Sequence, residues 1–94
     1  MKRKPKLDKN INKDVVLCET TNQKASKCTA ELLMQSSIPF TRNTKRIPFF
    51  KREQYKGADE VWVISINRNE YTKARRMIDQ LDLRYKKRLL LNVI

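Results

Sequence analysis

Glu60-Val61-Trp62-Val63-Ile64-Ser65-Ile66 decides the fold of this 94-residue chain. It holds the single Trp and the densest run of β-branched residues, which suit a pleated, buried surface. Trp62, Ile64 and Ile66 alternate onto one face, and Val61, Val63 and Ser65 onto the other. A strand that is largely apolar on both faces is central in its sheet. Neighbours are therefore expected on both sides of it.

The periodic segments on either side supply its partners. Asp14-Val15-Val16-Leu17-Cys18-Glu19-Thr20 reads as a short strand, and Thr21-Asn22 offers side-chain oxygens for a helix N-cap. Ala25, Cys28, Leu32 and Leu33 recur at helical spacing and predict a helix over 23–36. Ile38-Pro39 ends it, because the residue before proline avoids the α region. Pro39-Phe40-Thr41-Arg42-Asn43 fits a short edge strand with Pro at its start. Beyond the central strand, Asn67 with Glu70 three residues on has capping-box spacing. Tyr71, Ala74, Ile78 and Leu81 then form the clearest helical stripe, with Met77 alongside and Lys73, Arg75, Arg76 and Asp79 outward. Trp62, Ile64, Leu32, Leu33, Ala74 and Ile78 are the expected shared core.

Strand, helix, strand, strand, helix has one simple right-handed solution. It is an α+β, ferredoxin-like βαββα(β) sandwich. A three-stranded antiparallel sheet carries two helices on one face, with the third strand between the first two. The final strand is left open, because residues 83–94 read two ways. Tyr85 and Leu89 would continue the helical stripe, while Leu89 to Ile94 would equally supply a strand. The expectation is helix as far as Arg88 and then an apolar end. The chain is thus one domain over 15–82, flanked by a basic arm over 1–14 and the basic, then apolar, segment 83–94. The arm is too poor in apolar residues to offset its ordering entropy and is expected to be disordered.

Charge is unevenly placed. Lys and Arg number 22 against 10 Asp and Glu, a formal net charge of +12. Residues 1–14 carry net +4, residues 42–56 net +5 and residues 83–94 net +4, while 15–41 is neutral and 57–67 is net −2. Such clustering suits a surface that contacts anions or keeps a small protein in solution. The connection over 44–56, opened by Pro48 and closed by Gly57, combines cations with aromatics. With Arg42 it gives the candidate partner-binding loop: Arg42, Lys45, Arg46, Phe49, Phe50, Lys51, Arg52, Tyr55 and Lys56. Burial favours Phe49, Phe50 and Tyr55 folding back as a lid over the sheet. A ligand-facing loop is the competing reading. Gly57, the only glycine, is the natural place for a positive φ.

Several functions lack their residues. There is no His, the commonest general base, and one glycine precludes GxGxxG and phosphate-loop motifs. Cys18 and Cys28 lack metal-ligand spacing and are expected to be reduced. No catalytic residue, metal site or cofactor is assigned. Without an 18-residue apolar run or an apolar segment after the basic start, no membrane span or export is expected. The expected location is the cytoplasm. Lys56-Gly57-Ala58-Asp59-Glu60-Val61-Trp62-Val63 begins like an RNA-recognition strand, but Ala58 and Glu60 stand where stacking aromatics belong.

Thr21-Asn22, Ala25, Leu32-Leu33, Ile38-Pro39-Phe40, Gly57-Ala58, Val61-Trp62-Val63, Tyr71, Lys73-Ala74 and Ile78 together resemble a family. It is the family of small prokaryotic signal-transducing domains of undefined function, ferredoxin-like and related to the nitrogen-regulatory PII-like group. The likeness spans 15 to about 81 and rests on fold-forming positions. Many members carry a glycine before the Ile-Pro pair, where this chain has Ser37. The resemblance implies a non-catalytic regulatory or interaction module with a protein partner. Non-sequence-specific nucleic-acid binding through the arm and loop is the alternative. The sequence does not specify an oligomeric state.

Overall fold

A computed structural model describes residues 14–93. The expected arm, apart from Asp14, lies outside them, as does Ile94. Asp14 itself opens strand β1 (Asp14–Thr20) and pairs with Asn67. Helix α1 (Gln23–Gln35), strand β2 (Phe40–Arg46), a 3-10 helix (Phe49–Tyr55) and strand β3 (Glu60–Asn67) come next. A short 3-10 turn (Arg68–Glu70), helix α2 (Tyr71–Ile78), the one-turn helix α3 (Leu83–Lys86) and strand β4 (Leu90–Leu91) follow among the described residues.

Among the described residues the sheet has four strands in the order β2-β3-β1-β4, and every neighbouring pair is antiparallel. The expected three-stranded sheet thus gains a short fourth strand, and β3 does lie between β1 and β2. The C-terminal helix does not run on to Arg88. Asp82 starts a separate turn by accepting from the Arg84 N–H at 2.9 Å, a side-chain bond that competes with helix continuation. Leu90 and Leu91 then pair with Glu19 and Cys18.

Local chemistry explains the termini. Asn22 Oδ1 accepts from the Ala25 N–H at 2.8 Å and caps α1. Ser37 takes a left-handed φ of +58°. The Ile38 N–H bonds Leu33 O at 2.9 Å and the Ser37 N–H bonds Met34 O at 3.1 Å. This is a Schellman closure, with Ile38 and Leu33 both in the core. Ser37 therefore holds a conformation that glycine adopts without strain.

A β-bulge between Val16 and Cys18 reorganises β1. Strict alternation would put Leu17 and Cys18 on opposite faces. The extra residue lets both be fully buried in the core, with Ile64, Ile66, Leu33, Ile38, Ala74 and Ile78. It also shifts the phase of the remainder of the strand, so Glu19 pairs with Val63 and shares the face away from the core. Trp62 and Leu32, expected in that core, are only half-buried. The Arg42 guanidinium lies 4.2 Å from the Trp62 ring centre and covers it instead.

Asn92 closes the β4 edge. Its N–H donates to Leu17 O at 2.9 Å, and its Nδ2 donates to Val16 O at 2.8 Å. Its carbonyl accepts from the Tyr71 hydroxyl and from Arg75 Nη1 at 3.4 Å. Arg75, expected on the outward side of α2, is half-buried and ties that helix to the C-terminal strand.

Candidate functional site

The connection between β2 and β3 is shorter than expected, because Thr44, Lys45 and Arg46 extend β2. They pair with Trp62, Val61 and Glu60. Ile47 comes next at 2% exposure, and its N–H donates to Asp59 O at 2.9 Å. The 3-10 helix is then held at both ends. Arg52 Nε donates to Ile47 O at 3.3 Å. The Gly57 N–H bonds Arg52 O at 2.8 Å, with Lys56 and Gly57 both at positive φ.

A 3-10 helix has three residues per turn, so Phe49, Arg52 and Tyr55 share a side. Arg52 and Tyr55 are half-buried at the sheet end, and the Tyr55 hydroxyl donates to Glu19 Oε1 at 3.4 Å. Phe49 and Phe50 are not part of a lid, being 84% and 71% exposed. The aliphatic Ile47 takes the buried position instead. The Arg52 guanidinium lies 6.0 Å from the Phe49 ring centre.

The structure thus divides the nine candidate loop residues. Arg42 serves the fold, donating from Nε to Ser26 Oγ at 2.7 Å and covering Trp62. Arg52 and Tyr55 anchor the 3-10 helix. Lys45, Arg46, Phe49, Phe50, Lys51 and Lys56 face solvent.

Beside this segment lies an open cleft of about 640 Å³. Glu19, Thr20 and Thr21 line it from the end of β1. Gln54, Tyr55 and Lys56 come from the 3-10 helix and its cap, and Val61 from β3. Lys87, Arg88, Leu89 and Leu90 line it from the C-terminal segment. Residues 83–94 read as a basic segment, and nothing in the sequence brings Lys87 and Arg88 into one lining with Lys56. The signal in the sequence was the net +4 of residues 83–94; what was missing was the β4 pairing that folds them back.

Two titrations are perturbed here. Burial, then the charge of Glu19, pushes the Cys18 thiol up to about 12. The charge of Glu19, then burial and the hydrogen bond between them, raises the Tyr55 phenol above its ordinary value. Cys18 is consequently a neutral core thiol, with too little thiolate at neutral pH to act as a nucleophile. Among the described residues, no three His, Cys, Asp or Glu side chains gather to hold a metal.

Comparison with protein-family models, curated proteins and solved structures finds no match to this chain.

Proposed function

We propose that this chain is a small non-catalytic interaction module that docks an acidic protein partner through the exposed start of its 3-10 helix. One observation carries the reading. Phe49 and Phe50 stand 84% and 71% exposed, followed in the chain by exposed Lys51 and preceded by the exposed β2 cations Lys45 and Arg46. Two adjacent exposed rings supply apolar anchors of the kind that dominate interface energies. The surrounding cations steer an acidic surface toward them. The strand order β2-β3-β1-β4 further supports reading the fold as ferredoxin-like. A regulatory role within the small signal-transducing domains is the form of this function that the sequence resemblance favours.

The test is capture with purified wild type as bait, followed by affinity measurement on the recovered acidic protein. Phe49→Ala with Phe50→Ala should weaken binding at least tenfold, and Lys45→Glu with Lys51→Glu should slow association and flatten its salt dependence. Unchanged affinity in both variants would refute the docking surface. Retention on single-stranded DNA, lost in the same variants, would favour the nucleic-acid alternative, in which the rings stack on bases.

A further inference from the structure

We infer that the cleft between the 3-10 helix and the C-terminal segment binds a small organic phosphate, with its phosphate at the rim and an apolar or aromatic body against the floor. The site goes beyond the docking surface, which lies at Phe49, Phe50 and Lys51 at the start of the same 3-10 helix, whereas the cleft is lined by Gln54, Tyr55 and Lys56 at its end.

Volume, charge and lining converge on this ligand class. About 640 Å³ falls within the range of roughly 300–1,000 Å³ of small-molecule sites. Buried Val61 and half-buried Leu89 and Tyr55 supply apolar lining, which we take as the floor. At the rim, exposed Lys56, Lys87 and Arg88 approach from two separate segments of chain. Glu19 is the one carboxylate in the lining, and its Oε1 already accepts from Tyr55. Three cations against one carboxylate leave a local charge of +2. A phosphate monoester matches it, because its second ionisation near pH 6 makes it close to a dianion at neutral pH. The ion pairs formed among the described residues, Arg84 with Asp82 and Lys86 with Asp79, leave out all three rim cations. Their charge is thus available to an anion. An inorganic anion would use the rim alone, whereas an aryl phosphate uses rim and floor together.

The experiment titrates the full ¹⁵N-labelled chain with phenyl phosphate, with inorganic phosphate and phenol as its separated parts. Saturable shifts are expected at the amides of Thr20, Thr21, Lys56, Leu89 and Leu90. Phenyl phosphate should bind at least about fivefold more tightly than inorganic phosphate, the gain from burying one ring face. Lys87→Gln with Arg88→Gln, both exposed and so compatible with folding, should weaken it about tenfold. Glu19→Gln keeps an acceptor for Tyr55 and should tighten it, since a like charge is removed. Shifts scattered over Lys24, Lys45 and Lys73, or affinity unchanged in the Lys87/Arg88 variant, would overturn the site. So would equal affinity for inorganic and phenyl phosphate. An oligothymidylate that shifts the same amides and outcompetes phenyl phosphate would replace the small ligand with a nucleic acid and overturn the inference. Lys45→Glu with Lys51→Glu must leave phenyl phosphate binding intact, which separates this site's fate from that of the docking surface.

Discussion

Cys18 gives the fold a defined alkaline weakness. Its thiol is fully buried beside Leu17 and Ile64, and burial with the neighbouring Glu19 charge holds it at about 12 instead of 9.0. The folded chain therefore keeps this proton where the unfolded chain releases it. Stability from this group is intact below pH 9.0 and is lost as pH rises toward 12. Each pH unit in that window removes about 1.4 kcal/mol, and the whole window about 4 kcal/mol. Between about pH 8 and about pH 10.5 the loss is about 2 kcal/mol. The raised Tyr55 phenol adds a loss of the same sign. Cys18→Ala isolates the thiol, since every other group is shared. That variant carries a constant cavity cost of about 1–2 kcal/mol. Urea unfolding in reductant, followed by Trp62 fluorescence, should show wild type more stable at about pH 8. The gap should shrink by about 2 kcal/mol at about pH 10.5. Parallel pH profiles for the two proteins would refute the reasoning.

Ser37→Gly should raise stability by about 0.5–1 kcal/mol in chemical denaturation, because Ser37 sits at φ +58° and glycine has no penalty there. Gly57→Ala should cost about 1 kcal/mol in the same measurement; nothing lies within 4 Å of the added Cβ, so φ +85° alone opposes it. Tyr71→Phe and Asn92→Ala should each lower stability by about 1 kcal/mol and combine sub-additively, as both act on one hydrogen-bonded clamp. Amide exchange at Leu91 should quicken in both. Arg42→Lys should cost about 1 kcal/mol and alter Trp62 emission, because the single ammonium centre of lysine cannot cover the ring and bond Ser26 at once as the guanidinium does.

The elements that were legible in the sequence are those whose residues answer to their own periodicity. The two-sided apolar run of β3, the Ala74 and Ile78 stripe of α2 and the Asn22 cap need no distant partner to be read. The β1 bulge is different. Nothing in Val15-Val16-Leu17-Cys18 signals an extra residue, and the shift becomes visible only against β3, where Val16 pairs with Ser65 and Cys18 with Ile64. Its effect reaches the cleft, because Glu19 would otherwise point toward the helices. Strand β4 escaped for a related reason. Two residues carry no period, and they are held by Asn92 reaching across to Val16 O and by Tyr71 on another element.

The candidate loop was legible as a concentration of charge but not as a division of labour. Arg42 and Lys45 look alike in sequence, yet β2 register places Arg42 opposite Ile64 on the core side and Lys45 opposite Val61 on the other. Phe49 and Phe50 look like lid residues because exposed rings are disfavoured in water. They stay outside because Ile47 takes the buried position and the 3-10 helix is fixed from within, by Arg52 on Ile47 O and Gly57 on Arg52 O. A segment fixed in this way loses little further conformational entropy when it meets a partner. Exposed rings on a mobile loop would forfeit much of their contact energy to ordering, whereas here that ordering is already supplied by folding. In the proposed docking surface, the anchoring of Arg52 and Tyr55 toward the sheet would hold Phe49, Phe50 and Lys51 ready for a partner.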